Sequence, residues 1–163
     1  MTLTFKVDKP EKFSAKEKDI FVQLLIMQGQ VATPNIDKVN ASPFICIVYC
    51  NDEPIGIGAI KNVYKTPFDY AEVPELKAKF KNELGYLFVS NDNANNFRGL
   101  GIGKTISKLL LKQIGTGTVF ATTDVSRKNV MKYILKDVGF KKVGKTYKGQ
   151  NTTKKIGLYI KTT

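Results

Sequence analysis

The feature that most constrains this chain is a glycine-rich stretch at residues 97–105, which reads FRGLGIGKT. The preceding run, residues 84–89, is apolar and aromatic and predicts a buried strand. After the glycines, Ile and Leu recur at helical spacing until Gly115, which predicts an amphipathic helix that ends there. Glycines let backbone N–H groups converge on one point, and a helix N-terminus carries roughly half a positive charge. The unit therefore predicts a phosphate or pyrophosphate site.

The spacing of these glycines excludes two common phosphate loops. The nucleoside-triphosphate loop GxxxxGK[ST] needs a glycine where Arg98 stands, although Gly103, Lys104 and Thr105 match its end. The dinucleotide loop GxGxxG needs its third glycine at position 104, which is lysine. The pattern that fits is RxxGxG, formed by Arg98, Gly101 and Gly103 between a predicted strand and a predicted helix.

With this pattern the chain resembles the GNAT superfamily of acyl-CoA-dependent N-acyltransferases. In that family a Q/R-x-x-G-x-G/A loop holds the CoA pyrophosphate on backbone amides, and the strand before it splays from its neighbour to admit the pantetheine arm. A second match runs from Asn129 to Gly139 and Phe140 and is similar to the family's later helix, which ends in Gly-Phe. The resemblance covers roughly residues 4–161.

The first half of the chain contains several further element signals. Residues 2–7 predict an edge strand, and Ser14 with Glu17 predicts a capping box. The helix that follows has a stripe formed by Ile20, Phe21, Leu24, Leu25 and Gln28, and it ends at Gly29. Residues 31–43 predict a connection with a short second helix, residues 43–61 a hairpin, and residues 61–83 a long connection with a helical turn at 74–81.

The second half continues with a strand, a helix and a final hairpin. The strand is predicted at residues 118–125, the helix at 127–138 and the hairpin at 141–161. Five residues of this helix are predicted to face inward: Val130, Met131, Ile134, Leu135 and Val138. The order β-α-α-β-β-β-α-β-α-β-β predicts a single α/β (α+β) domain over residues 1–163. Its sheet is expected to be mixed and mostly antiparallel, with helices on both faces.

The composition restricts the partners. A formal charge of +12 without histidine favours polyanionic partners, namely nucleic acid, an anionic surface or a multiply phosphorylated cofactor, although lysine-rich faces also simply keep a small protein in solution. The sequence has neither a secretory leader nor a long apolar run, which predicts a cytoplasmic protein without a membrane partner. Cys46 and Cys50 would lie roughly 13 Å apart on an extended chain, so both are predicted as unpaired thiols that are half-buried or in the core.

The resemblance implies acetyl-CoA as co-substrate and no metal. Backbone N–H groups of the glycine loop would hold the pyrophosphate, and Lys104 would pair with a phosphate. Main-chain groups of Phe88 and Val89 would bind the pantetheine amides, and Asn129 would donate a hydrogen bond to the cofactor. The implied loop residues are Arg98, Gly99, Leu100, Gly101, Ile102 and Gly103.

The candidate base is a carboxylate, because the chain has no histidine. Glu83 precedes Val89 by six residues, which on a regular strand places both on one face. The alternative is a solvated ion-pair partner of neighbouring lysines. Asp92 and Asp124 are weaker candidates for the same role.

The candidate acid is Tyr133. The family commonly has a tyrosine four residues before the Gly of Gly-Phe, where this chain has Leu135, but Tyr133 is at i+4 from Asn129 and would share its helix face. The alternative is an aromatic side chain at the edge of the core. Residues 90–97 form a longer crossing to the glycine loop than the family usually has.

The implied activity is transfer of an acetyl group from acetyl-CoA to a primary amine, by direct attack in a ternary complex. The alternative is a catalytically silent CoA-fold module that binds nucleic acid through its basic surface. The positive charge favours a neutral or anionic acceptor over free polyamines and aminoglycosides; examples are an amino acid, an acidic peptide terminus, an amino sugar nucleotide and an aminoacyl-tRNA. The chain is expected to be a monomer or a homodimer.

Overall fold

The computed structural model describes residues 1–62, 65–91, 97, 99–115, 117–150 and 152–162. Its helices and strands are, in chain order, β1 (Leu3–Asp8), α1 (Ala15–Gln28), α2 (Ile36–Ala41), β2 (Phe44–Cys50), β3 (Glu53–Lys61), α3 (Thr66–Tyr70), β4 (Asn82–Val89), α4 (Ile102–Ile114), β5 (Val119–Asp124), α5 (Met131–Asp137), β6 (Lys141–Lys148) and β7 (Lys155–Lys161). Short 3₁₀ helices cover Pro10–Lys12 and Pro74–Lys79.

The strands are hydrogen-bonded in the order β1-β2-β3-β4-β5-β7-β6. β2 pairs antiparallel with β1 and with β3, and β7 pairs antiparallel with β5 and with β6. β4 and β5 are parallel and pair Asn82 with Val119 and Glu83 with Phe120. The predicted mixed, mostly antiparallel sheet and the predicted order of elements are confirmed, with α3 as an addition.

The chain divides into two compact units, Met1–Lys61 with Leu84–Gly115, and Asn62–Glu83 with Thr116–Thr163. Each unit has a core of its own. That residues 1–163 form one domain stays a prediction.

In the first unit, α1 begins and ends as predicted. The Ser14 hydroxyl accepts a hydrogen bond from the Glu17 N–H at 3.1 Å, the Ser14 N–H donates to Glu17 Oε1 at 3.0 Å, and Gly29 ends the helix at φ 76°. The apolar stripe packs against one face of β2 and β3; the packed side chains are Phe21, Leu24 and Leu25 of α1 and Ile45, Ile47, Ile57 and Ala59 of the sheet.

The other face of β3 carries α4. A Cβ placed on Gly58 would lie 2.5 Å from Ile106 Cγ2 and 3.1 Å from Leu110 Cδ1, so the helix approaches the strand more closely than any side chain would allow. Because residues 57 and 58 point to opposite faces, α1 and α4 lie on opposite sides of the sheet. Helices on both faces are therefore confirmed in this unit.

The second unit encloses an aromatic cluster. The ring centre of Phe68 lies 5.5 Å from that of Phe80 and 5.0 Å from that of Phe120. Leu158 and Ile160 of β7 belong to the same buried cluster. Phe68 belongs to α3, which the sequence did not predict because a five-residue helix is too short to show periodicity. The helical turn expected at 74–81 is confirmed as a 3₁₀ helix.

The helix predicted at residues 127–138 is shorter than expected. The Asp124 carboxylate accepts hydrogen bonds from the Ser126 N–H at 2.9 Å and from its hydroxyl at 3.2 Å, which holds the segment before Met131 in turns. Val130, predicted to face inward, is 64% exposed, whereas Leu135 and Val138 are buried as expected.

Cys46 and Cys50 are both buried and free, as predicted. Burial raises the pKa of Cys46 to about 12. Among the helices in the described ranges, none combines the length and the apolar character needed to cross a membrane.

Candidate functional site

The glycine loop opens outward from the first unit. Gly99 and Gly101 have φ of 84° and 75°, a backbone region that favours glycine. Both are exposed, and in the described chain a Cβ on either would meet no atom within 4 Å. The described residues therefore leave space above the loop for a ligand that approaches the backbone closely.

The N-terminus of α4 is suited to an anion. The Thr105 N–H makes the first hydrogen bond of the helix, to the Gly101 carbonyl at 3.0 Å, so the N–H groups of Ile102, Gly103 and Lys104 precede the intrahelical bonds. Gly101 has no side chain to cap them, and no acidic residue stands in the first turn. Together with the helix dipole, this end of α4 fits a phosphate or pyrophosphate group.

The middle of β4 carries a backbone irregularity. Tyr86 has φ 56°, which a bulky residue seldom adopts. Its ring stands nearly perpendicular to the Phe21 ring, with 6.3 Å between the two ring centres. Lys61 Nζ lies 4.3 Å from the centre of the Tyr86 ring. Regular alternation of side chains therefore stops at Tyr86.

Beyond Tyr86 the two edges of β4 can be told apart. The Phe88 carbonyl oxygen lies 3.2 Å from the position of a Cβ on Gly56 of β3, and the Ser90 N–H donates to the Ile55 carbonyl of β3 at 2.6 Å. Successive residues of a strand point their backbone groups to alternate edges. Those of Phe88 thus face β3, and those of Val89 face the opposite edge.

A residue that the sequence predicted only as part of the packing stripe of α1 contacts this segment. Gln28, the last residue of α1, donates from Nε2 to the Leu87 carbonyl at 2.8 Å. Its Oε1 is buried and has no hydrogen-bond partner within the described part of the chain. The available signal was a glutamine at the end of an otherwise apolar stripe.

The first unit holds most of the predicted cofactor residues, namely Phe88, Val89, Gly99, Leu100, Gly101, Ile102, Gly103 and Lys104. Leu100 is 52% exposed, whereas the Ile102 side chain is buried in the core. Arg98 of the RxxGxG pattern and Asp92, a weaker base candidate, lie outside the described residues.

Glu83 belongs to the second unit and is only 8% exposed, so its carboxylate is buried and not solvated as the alternative interpretation expected. The inference that Glu83 and Val89 share a face also fails, because it requires alternation through Tyr86. Burial, and then the charges of Glu83 and Tyr70, raise the pKa of Tyr147 to about 12, which places that phenol near the Glu83 carboxylate.

Asn129 and Tyr133 do not share a helix face, because Asn129 precedes α5. The Asn129 Nδ2 donates to Thr123 Oγ1 at 2.6 Å and to the Asp124 carbonyl, and its Oδ1 accepts from the Met131 N–H at 3.1 Å. These bonds use both N–H donors and one acceptor position of the amide to tie β5 to the start of α5. Tyr133 is 47% exposed, with Lys132 Nζ 5.0 Å from its ring centre.

Comparisons with known proteins agree on the fold. Neither a family model nor a curated protein sequence matches the chain. Among solved structures, it is similar to Escherichia coli ElaA at 13% identity and a TM-score of 0.69, to a Pseudomonas aeruginosa acyl-CoA N-acyltransferase at 12% and 0.68, and to Arabidopsis thaliana Naa50 at 15% and 0.68. Each similarity covers 98% of this chain and 99% of the other. The chain has the fold of the GNAT-type N-acetyltransferases.

Proposed function

We propose that the protein is an acetyl-CoA-dependent N-acyltransferase that moves an acetyl group to a primary amine in a ternary complex. The observation that carries the proposal is the open glycine loop at the N-terminus of α4, beside β4 of a GNAT fold. Left-handed glycines also occur in turns without a ligand, as at Gly29, but here two of them lead directly into a helix whose N-cap, Gly101, has no side chain.

The residues of the first unit would hold the cofactor at two places. The N–H groups of Ile102, Gly103 and Lys104 bind the pyrophosphate, with Gly99 and Gly101 leaving room for it. Main-chain groups of β4 bind the pantetheine arm like an added strand. The edge geometry supports Val89 for this second role over Phe88, whose groups face β3.

Acetyl-CoA, when bound, supplies the acetyl group as a reactive thioester. The Glu83 carboxylate accepts the proton of the substrate ammonium, so that the nitrogen lone pair is free to attack the carbonyl carbon. The Tyr133 hydroxyl donates a proton to the departing sulfur as the C–S bond breaks, and the second proton that the nitrogen loses on becoming an amide returns to the tyrosine oxygen. Much of the rate enhancement comes from positioning of the amine against the thioester. Well-oriented reactants lower the activation barrier by about 7 kcal/mol or more.

The acceptor class is a peptide or small-molecule amine. Arabidopsis Naa50 was solved with the bisubstrate analogue CoA-Ac-MVNAL, which supports a peptide amine among the acceptors that this fold accommodates. The charge of +12 favours acceptors that are neutral or anionic away from the amine.

The first test is thermal melting with and without acetyl-CoA. A ligand at about 100 times its Kd stabilises the folded state by about 2.7 kcal/mol, which raises Tm by about 5 to 10 °C in a chain of this size. Screening of amines then identifies the acceptor by release of free thiol.

The matched control uses two glycines with one backbone conformation. Gly101 has φ 75° and ψ 13°, and Gly29 has φ 76° and ψ 8°, and neither would meet a close contact on gaining a Cβ. Both Gly101→Ala and Gly29→Ala should lose about 1 to 2 kcal/mol of stability from the left-handed backbone. We expect only Gly101→Ala to lose the acetyl-CoA shift; an equal shift in both variants would rule out this loop.

The second candidate, nucleic-acid binding without turnover, is supported by the charge of +12. It would be favoured if no acyl-CoA shifted Tm while duplex or transfer RNA bound with steep salt dependence.

A further inference from the structure

We propose that Gln28 is a positioning residue that holds the β4 backbone in the conformation that binds the pantetheine arm. The inference rests on the proposed function for the identity of the ligand. Gln28 belongs to α1, which lies on the opposite side of the sheet from α4, and would nevertheless contribute to cofactor binding.

The position of Gln28 is unusual for its residue type. Phe21, Leu24, Leu25 and Gln28 recur on one face of α1, and the first three are buried in the core. An apolar residue in the fourth place would continue the stripe. The glutamine instead directs its amide to the backbone of β4, 59 residues away in sequence.

The orientation of the amide is determined by its partner. The Leu87 carbonyl can only accept a hydrogen bond, so Nε2 must face it at 2.8 Å and Oε1 must point elsewhere. That oxygen is buried without a partner among the described residues. A buried acceptor without a donor destabilises the fold, so stability alone does not favour a glutamine here. The favourable part of its contribution is the bond to Leu87.

That bond controls the segment at which the cofactor would bind. Tyr86 has a strained left-handed backbone, and the next carbonyl, that of Leu87, is the one that Gln28 holds. At the other end the Ser90 N–H is tied to Ile55 of β3. Val89 lies between these two attachments, so the direction of its N–H and carbonyl depends on both.

The experiment compares Gln28→Met with Gln23→Met. Methionine keeps the length and volume of glutamine and removes both polar atoms, and Gln23 is an exposed residue of the same helix. Two ligands distinguish the ends of the cofactor: acetyl-CoA, and 3′-phospho-ADP, which has the pyrophosphate but lacks the pantetheine arm. Binding is measured by calorimetry, together with Tm.

In Gln28→Met we expect the Kd of acetyl-CoA to rise about fivefold to tenfold, as for loss of one structured hydrogen bond. The Kd of 3′-phospho-ADP should stay within about twofold of wild type, because only the glycine loop binds it. Tm should fall little or rise, since the buried oxygen that has no partner among the described residues is removed as well. Gln23→Met should match wild type in all three measurements.

Gln28→Glu separates the two polar atoms. It keeps an oxygen at the place of Oε1 but replaces the donor to Leu87 with a second acceptor, so acetyl-CoA should bind more weakly than to Gln28→Met. A wild-type affinity in Gln28→Glu would overturn the role assigned to Nε2.

A second readout does not depend on any cofactor. In the unliganded protein, amide hydrogen exchange of the peptide that contains residues 86–90 should be faster in Gln28→Met than in Gln23→Met. Unchanged exchange together with unchanged acetyl-CoA affinity would overturn the inference while leaving the proposed function intact. Failure of wild type to bind either ligand, with accelerated exchange in Gln28→Met, would overturn the proposed function and leave the positioning of β4 established.

Discussion

Tyr86 has a strained backbone and lies next to the segment of β4 that we propose binds the cofactor. Among the described residues, three other non-glycine residues have positive φ, and two of them, Asn51 and Asp52, form the hairpin turn between β2 and β3, where such angles are usual. Tyr86 lies instead inside a strand, with its ring fixed between Phe21 and Lys61. Strain in the middle of a strand persists where surrounding contacts stabilise it, and it is common at binding sites.

A substitution at Gly144 tests how far a bulge in β6 depends on glycine. Gly144 has φ 68°, and a Cβ there would lie 2.4 Å from the Ala71 carbonyl oxygen, which accepts a hydrogen bond from the Lys145 N–H at 2.8 Å. Gly144→Ala therefore combines backbone strain with a clash against backbone, and we expect it to destabilise the fold by about 3 kcal/mol or more. The measurement is urea unfolding.

The control is Gly29→Ala, which has a similar φ of 76° and open space around its Cβ. It should lose only about 1 to 2 kcal/mol. Equal losses in the two variants would show that the bulge shifts to accommodate the methyl group.

At the scale of elements, the start of α1 is stabilised by a carboxylate with three partners. Glu17 accepts hydrogen bonds from Lys6 Nζ at 2.8 Å, the Ser14 N–H at 3.0 Å and the Tyr49 hydroxyl at 3.3 Å, which joins the helix to β1 and β2. Burial raises the pKa of Glu17, but these hydrogen bonds and the charge of Lys6 outweigh burial, so its pKa lies below the ordinary value of 4.5.

Glu17→Gln should therefore destabilise the protein in a pH-dependent way. A carboxyl group with a lowered pKa stabilises the folded state above its unfolded pKa, and this contribution disappears as pH falls through the folded pKa. We expect the free energy of unfolding to fall by about 1 kcal/mol at pH 7. The loss is moderate because solvent partly screens the pair of Lys6 and Glu17. The difference from wild type should shrink as pH falls below 4.5.

Urea unfolding at several pH values measures this, with Glu11→Gln as control because Glu11 is an exposed carboxylate in the preceding 3₁₀ helix. A loss in Glu17→Gln that persisted unchanged at pH 3 to 4, roughly the range of protonated carboxyls, would contradict the role of its charge.

Elements with strong local signals were predictable, and those without were not. The capping box at Ser14 and the glycines at both ends of α4 determine helix limits through local hydrogen bonds and backbone angles, so these limits were correct. α3 has too few residues for periodicity. The start of α5 was placed too early because Asp124 and Asn129 hold residues 126–130 in turns through side-chain bonds that hydrophobic spacing does not reveal.

At the scale of the whole molecule, the charge of +12 separates the two candidate functions by their response to salt. A protein that contacts 6 to 10 phosphates of a duplex loses about 10³ to 10⁵ in affinity between roughly 50 and 200 mM salt. In the proposed complex, acetyl-CoA would present few phosphates and neutral hydrogen bonds would hold its pantetheine arm, so we expect a loss of less than about tenfold over the same range.

The affinities for the two ligands are measured at both salt concentrations. Titration calorimetry gives the Kd of acetyl-CoA, and fluorescence anisotropy gives the Kd of a duplex. A duplex affinity that fell by about 10³ or more between the two salt concentrations, with no acetyl-CoA binding at either, would favour the nucleic-acid module.

The sequence by itself determined the order of elements, the fold class and the glycine loop, because hydrophobic periodicity, helix caps and glycine spacing act over a few residues. Only the tertiary structure decided which backbone and side-chain groups face the proposed site. Tyr86 breaks the alternation on which the pairing of Glu83 with Val89 depended, Glu83 is buried, and the Asn129 amide is used within its own loop. Gln28 reaches Leu87 across 59 residues. Contacts of this kind arise from packing between distant segments, which no local pattern encodes.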